Sequence, residues 1–213
     1  MNIRAVLWDF GGVFTTSPFD AFNRFEIARG LPPDFIRSVN TRNPLTNAWA
    51  RFESSQSTVA EFDREFAAES KALGHEIAGR ELLPLLAGTV RPRMIEVLKR
   101  CKARYRCACI TNNARAGEGP TMATSRERAE EVFAVMALFD FVIESSKLGI
   151  RKPDPRIYEI ACERLEIPPA DVVFLDDLGI NLKPARAMGM TTIKVVSEDQ
   201  AIAELGDVLG MSF

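Results

Sequence analysis

The chain has 213 residues, 46% of them hydrophobic, which is enough for one large or two small domains around a sizeable core. Its 27 Lys plus Arg face 29 Asp plus Glu, and a formal net charge of −2 gives no electrostatic reason to expect nucleic acid or an anionic membrane as partner. The apolar runs fall short of the roughly 20 residues that span a bilayer, and the first residues lack the basic, apolar and small-residue succession of a signal peptide. Four Cys are too few for a disulfide scaffold, and Cys107 and Cys109 alternate within an apolar run. A cytoplasmic protein with reduced thiols is expected.

Residues 3–9, Ile-Arg-Ala-Val-Leu-Trp-Asp, form a short apolar run that ends in a carboxylate and meets Gly11-Gly12, the pattern of a buried strand entering a tight turn. From residue 17 to 87 no β-branched run appears and apolar positions keep helical spacing, so this stretch reads as a helical insert. Within it Phe19, Phe22, Phe25 and Ile27 mark a helix that stops at Gly30, and Thr58 with Glu61 makes a capping box before Phe62 and Phe66, with Gly74 as the stop. Pro92 opens a helix carrying Met94, Ile95 and Leu98, and a strand follows at Tyr105 to Ile110. Further strands are expected at Phe139–Ile143, Val172–Leu175 and Thr192–Val196. Helices come between them, one starting at Pro155 with Ile157, Tyr158 and Ala161, another holding Leu182, Ala185 and Met188 before Gly189. This alternation predicts an α/β fold, a doubly wound, three-layer, Rossmann-like parallel sheet with an inserted all-helical cap. The core is assigned to residues 1–16 and 88–213 and the cap to 17–87. An insert at that place sits beside the carboxyl ends of the strands, where open α/β sheets bind ligands.

Four polar clusters fall at or just after predicted strand ends: Asp9, the triplet Thr111-Asn112-Asn113, Lys152 before Pro153, and the pair Asp176-Asp177. Parallel strands would bring them together. Singly each reads as a cap or turn residue. In this order and context they resemble the haloacid dehalogenase-like hydrolase superfamily. The stretches Phe139-Asp-Phe-Val-Ile-Glu-Ser, Lys152-Pro-Asp-Pro and Phe174-Leu-Asp-Asp-Leu-Gly-Ile-Asn-Leu-Lys-Pro-Ala are similar to the phosphatase domain found in soluble epoxide hydrolases.

The resemblance implies phosphoryl transfer to Asp9 as nucleophile, giving an aspartyl-phosphate that water hydrolyses. It implies Mg²⁺ held by Asp9, the backbone carbonyl of Gly11, Asp176 and Asp177, because a carboxylate approaching a phosphate dianion needs positive charge beside it. Lys152 would hold the phosphoryl oxygens and Asp9, while Thr111 and Asn112 would bind another phosphoryl oxygen. Asn181 would buttress the loop of the acidic pair. The partner implied is a small phosphorylated metabolite, hydrolysed as a phosphate monoester.

One position departs from the superfamily's usual pattern. Its phosphatases carry a second Asp two residues after the nucleophile as general acid, and this chain reads Asp9-Phe10-Gly11-Gly12-Val13. A glycine keeps the carbonyl and loses the proton donor, whose assistance contributes about 10²–10⁴-fold. Three explanations follow: a substrate with a good leaving group, an acid from elsewhere, or lost activity. Two alternative functions therefore stand beside the phosphatase, a metal-independent 2-haloacid dehalogenase and a non-catalytic protein binding a phosphorylated ligand. His75, the only histidine, could in principle reach the site but reads as a surface loop residue. Thr15 and Thr16 read as orienting groups or as hinge residues, and Asn47, Trp49, Phe52 and Glu53 as cap packing with one or two facing substrate.

Overall fold

The computed structural model describes residues 2–114 and 126–213. Side chains alternate along β1 (Ala5–Trp8), and both faces of this strand are buried, as its unbroken apolar run requires. It lies between β2 (Arg106–Thr111) and β4 (Val172–Asp176), pairing parallel with each, Ala5 opposite Arg106 and Val172. Outside them stand β3 (Phe141–Glu144) and β5 (Thr191–Lys194), giving a five-stranded parallel sheet in the order β3-β2-β1-β4-β5. The order reverses about β1, whose carboxyl end is therefore the switch point at which such sheets bind ligands.

Helices cover both faces. Val6 and Trp8 pack with apolar residues of α5 (Pro92–Lys102), α6 (Arg126–Met136) and α10 (Glu198–Leu209). Ala5 and Leu7 pack with α8 (Pro155–Leu165) and α9 (Gly179–Ala187). The expected three-layer α/β architecture is present, and the five expected strands form within two residues of their expected limits. The third starts late because Asp140 turns its carboxylate onto the N–H of Cys107, 2.9 Å away, and onto Arg106. All four cysteines are buried free thiols.

Between β1 and α5 the chain is helical: α1 (Pro18–Arg29), α2 (Phe35–Thr41), α3 (Ala48–Glu53), α4 (Val59–Lys71) and two short 3₁₀ turns. These helices enclose an apolar cluster of their own around Trp49, Phe52, Phe62 and Phe66. The Thr58–Glu61 capping box opens α4 as expected, and α1 stops at Gly30 in the left-handed conformation. The inward stripe of α1 differs from the expected one. Ile27 is 80% exposed, and the buried position beside it belongs to Glu26. The Glu26 carboxylate accepts the N–H groups of Asp34 and Ile36 at 2.9 and 2.8 Å, so it satisfies donors at the start of α2 that an isoleucine would leave bare.

The chain leaves and re-enters the sheet region through two paired segments. Thr15 bridges antiparallel to Val90, Thr16 N–H donates to Thr89 O, and Arg91 N–H donates to Phe14 O. Thr15 and Thr16 thus lie in the paired connection between the sheet region and the insert, and Thr15 also reaches the cavity described next.

Candidate active site

Most residues of the site lie at or just past the carboxyl end of a strand. Asp9 lies one residue past β1, Thr111 ends β2, Asp176 ends β4 with Asp177 next, and Lys152 sits in the loop from α7 (Ser145–Leu148) to α8. Asp9, Asp176 and Asp177 each offer a carboxylate oxygen within 4.8 Å of the others. The Lys152 ammonium, 0% exposed, joins two of them, at 2.8 Å from Asp9 Oδ1 and 2.7 Å from Asp176 Oδ2.

Each partner is fixed in turn. Asp9 Oδ1 also accepts the N–H of Phe10 at 2.6 Å. Asp176 accepts Leu178 N–H at 2.8 Å and the Asn181 amide at 3.1 Å, so Asn181 supports the acidic pair as expected. Asp177 Oδ2 accepts the Ser17 hydroxyl at 3.1 Å. Asn112 clamps the Lys152 backbone, accepting its N–H at 2.9 Å and donating to its carbonyl at 3.0 Å. Asn112 thus orients the lysine, and it also lines the cavity described below. The N–H of Asn113 donates to Ser145 Oγ, so of the amides beside Thr111 this one is already engaged.

Crowding like charges in a buried place shows in the titration of the site. Burial lifts the Asp9 carboxyl well above the ordinary range against the pull of Lys152, and Asp176 and Asp177 add to the lift. Burial works against the Lys152 ammonium, yet Asp176 and then Asp9 outweigh it and hold its pKa above that of a free lysine. Burial, then the charge of Asp176, pushes Asp177 up to about 6. Three carboxylates thus face one ammonium, and a hard divalent cation with oxygen ligands fits that donor set and its surplus negative charge.

Above the carboxylates is a cavity of about 170 Å³, lined by Asp9, Gly11, Thr111, Lys152 and Asp177 among others. A second cavity of about 350 Å³, walled by Phe19, Phe22, Pro44, Trp49, Leu86 and Ile180, shares part of its lining with the first. Of the four insert residues singled out in the sequence, Glu53 lines both cavities, Asn47 and Trp49 line the second, and Phe52 packs inside the insert. His75 stands edge-on to Phe35, 5.1 Å between centroids, and lines neither cavity. Sequence reasoning missed Ser17 and Arg151. Each is an unremarkable polar residue next to a flagged one, and only folding over a long separation gives it a partner.

The model of the haloacid dehalogenase-like hydrolases matches residues 3–189. The chain belongs to that family. Among its curated relatives are acyl-CoA dehydrogenase family member 10 of Mus musculus, 32% identical over 98% of this chain and 19% of that one, and bifunctional epoxide hydrolase 2 of the same organism, 30% identical over 100% and 40%. The chain therefore spans less than half the length of these two proteins. A phosphatase of Mycobacterium tuberculosis is 29% identical over 89% of this chain and 86% of its own. Among solved structures, a haloacid dehalogenase family enzyme of Bacteroides thetaiotaomicron, in complex with magnesium and inorganic phosphate, superposes with a TM-score of 0.56 at 19% identity, covering 90% of this chain and 93% of that one. A dehalogenase superposes with a TM-score of 0.64 at 20% identity, covering 99% and 98%. This haloacid dehalogenase-like hydrolase thus shares its fold with a dehalogenase and with a family enzyme that holds magnesium and phosphate. No helix of the described residues is long and apolar enough to cross a membrane.

Proposed function

We propose that this hydrolase is a Mg²⁺-dependent phosphatase, acting on a small organic phosphate monoester through an aspartyl-phosphate on Asp9, with residues 17–87 as the cap that selects the substrate. The observation that carries this reading is the buried Lys152 ammonium bridging Asp9 and Asp176 beside a third carboxylate, at the foot of a cavity. Asp9, Asp176, Asp177 and the Gly11 carbonyl would hold the Mg²⁺. Bound there, it supplies positive charge that keeps Asp9 ionised and offsets repulsion between carboxylate and phosphate.

The protein's own groups do the rest. An Asp9 oxygen attacks phosphorus as the ester P–O bond breaks, and water then hydrolyses the acyl phosphate. Lys152, fixed by Asn112 and Asp176, stabilises charge on the phosphoryl oxygens, and the Thr111 hydroxyl donates to one of them. The second cavity receives the organic part of the ester. Four buried thiols suit the reducing cytoplasm in which such a substrate would be met.

Phosphate release from aryl, acyl, anomeric and alkyl phosphates, with Mg²⁺ or with EDTA, tests the reading against Asp9→Asn. Turnover is expected only with Mg²⁺ and with Asp9. Halide release from a 2-haloacid without metal would instead establish a dehalogenase, and tight phosphate binding with no turnover a ligand-binding role.

A further inference from the structure

The site holds no dissociable side chain where the family's phosphatases place their proton donor. A Cβ built on Gly11 meets nothing within 4 Å, so the space beside Asp9 is open. Some other group must meet the negative charge that builds on the departing oxygen. The titratable residues of the first cavity narrow the choice. Asp9 and Asp177 belong to the nucleophile and metal set, Lys152 is held between Asp9 and Asp176, and Arg128, which donates to Ala87 O at 3.3 Å, lines the first cavity but not the second.

Arg151 stands differently. It lines both cavities, so it borders the passage where the phosphoryl group ends and the organic group begins. Its Nε and Nη2 bind Glu53 Oε2, each at 2.7 Å, and its Nη1 donates to Pro44 O at 3.1 Å. A guanidinium carries five N–H donors. Three are engaged, which leaves two without an acceptor among the described residues. The side chain is 20% exposed, and Glu53 17%. Ser145 Oγ donates to the Glu53 carbonyl at 2.7 Å, so the residue that aims the guanidinium is itself tied to the sheet.

We infer that Arg151 is the electrophile for the leaving group: its two uncommitted N–H groups bind the ester oxygen and stabilise the charge developing there, in place of a proton from position 11. The inference rests on the phosphatase reading. In the step, an Asp9 oxygen bonds to phosphorus while the P–O bond to the organic group breaks. Both electrons go to the departing oxygen, which leaves as an anion paired with Arg151 and takes its proton from water. A guanidinium never gives up its own proton near neutral pH, so this assistance is electrostatic. Glu53 is a positioning residue. Its carboxylate offsets the attraction of Arg151 for the bound dianion, so the guanidinium acts mostly where new charge appears, in the transition state.

The test is kcat/KM for a series of aryl phosphates from nitrophenyl to phenyl, with Mg²⁺, for wild type, Arg151→Met and Arg151→Ala. The expected loss is slight for nitrophenyl phosphate and grows to about 10²–10³-fold for phenyl phosphate, the size found when one preorganised donor is removed. Millimolar guanidinium should restore Arg151→Ala selectively at the phenyl end. A loss equal across the series, or none, overturns the inference while leaving the phosphatase standing. Absence of wild-type turnover on every member overturns the phosphatase reading and this inference with it. Should neither truncation melt cooperatively, Arg151→Lys is read by the same plot. A slope unchanged from wild type with unaltered kcat/KM on phenyl phosphate shows that the guanidinium fork is not needed and overturns the inference.

Discussion

Two adjacent glycines at the site differ in what they can accept. Gly12 has φ +73°, and a Cβ there would lie 2.2 Å from Asp177 Oδ2, so Gly12→Ala must push the carboxylate aside while straining the backbone. It should cost about 1 kcal/mol or more in urea unfolding and weaken Mg²⁺ binding measured by calorimetry. Gly11 has open space and no such φ. Gly11→Asp should therefore fold normally and add the absent acid, raising kcat/KM on phenyl phosphate by about 10²-fold while changing nitrophenyl phosphate little. No gain on either ester would show that a carboxyl at this position does not reach the leaving group.

At the level of elements, the site depends on ties between strand ends. Ser145, wholly buried at the start of α7, accepts the N–H of Asn113 at 3.0 Å and donates toward the carbonyls of Glu53 and Asn113, so one hydroxyl links β2, β3 and α3. Ser145→Ala leaves a buried N–H unpaired and should cost about 1–3 kcal/mol by urea denaturation, with a larger fall in turnover than a distant substitution of equal cost such as Thr58→Ala. What the sequence makes legible is of the local kind. Apolar runs closing in Asp9, Thr111 and Asp176, the capping box of Thr58 and Glu61, and the Gly30 stop are each written within a few residues, because strand burial and capping are short-range physics. Contacts such as Arg151 with Glu53, or Asn112 with the Lys152 backbone, join residues 98 and 40 positions apart. Helical spacing gives no hint of them. Glu26 is instructive, since apolar periodicity favours Ile27, and only the placement of α2 reveals two N–H groups that a carboxylate must satisfy.

For the molecule as a whole, the acidic site couples stability to pH and to metal. Asp177 rises from an ordinary 3.8 to about 6 on folding, through burial and then Asp176. A raised pKa means that the folded state binds the proton more tightly. Its stabilising contribution is complete below about pH 4 and is lost as pH climbs through 6. Metal acts in the opposite sense, because it needs the carboxylate. The Tm increment from added Mg²⁺ should accordingly be small at pH 5 and larger at pH 7.5 by scanning calorimetry. An equal increment at both values would mean that Asp177 does not compete between proton and cation. The paired connection of residues 14–16 with 89–91 has a different bearing. Because departing and returning strands lie side by side, the sheet sees the same two anchor points whatever is threaded between them. The closure entropy of the inserted loop grows only slowly with its length. Descent can therefore exchange, enlarge or prune the inserted helices without renegotiating the strands that hold the acidic site.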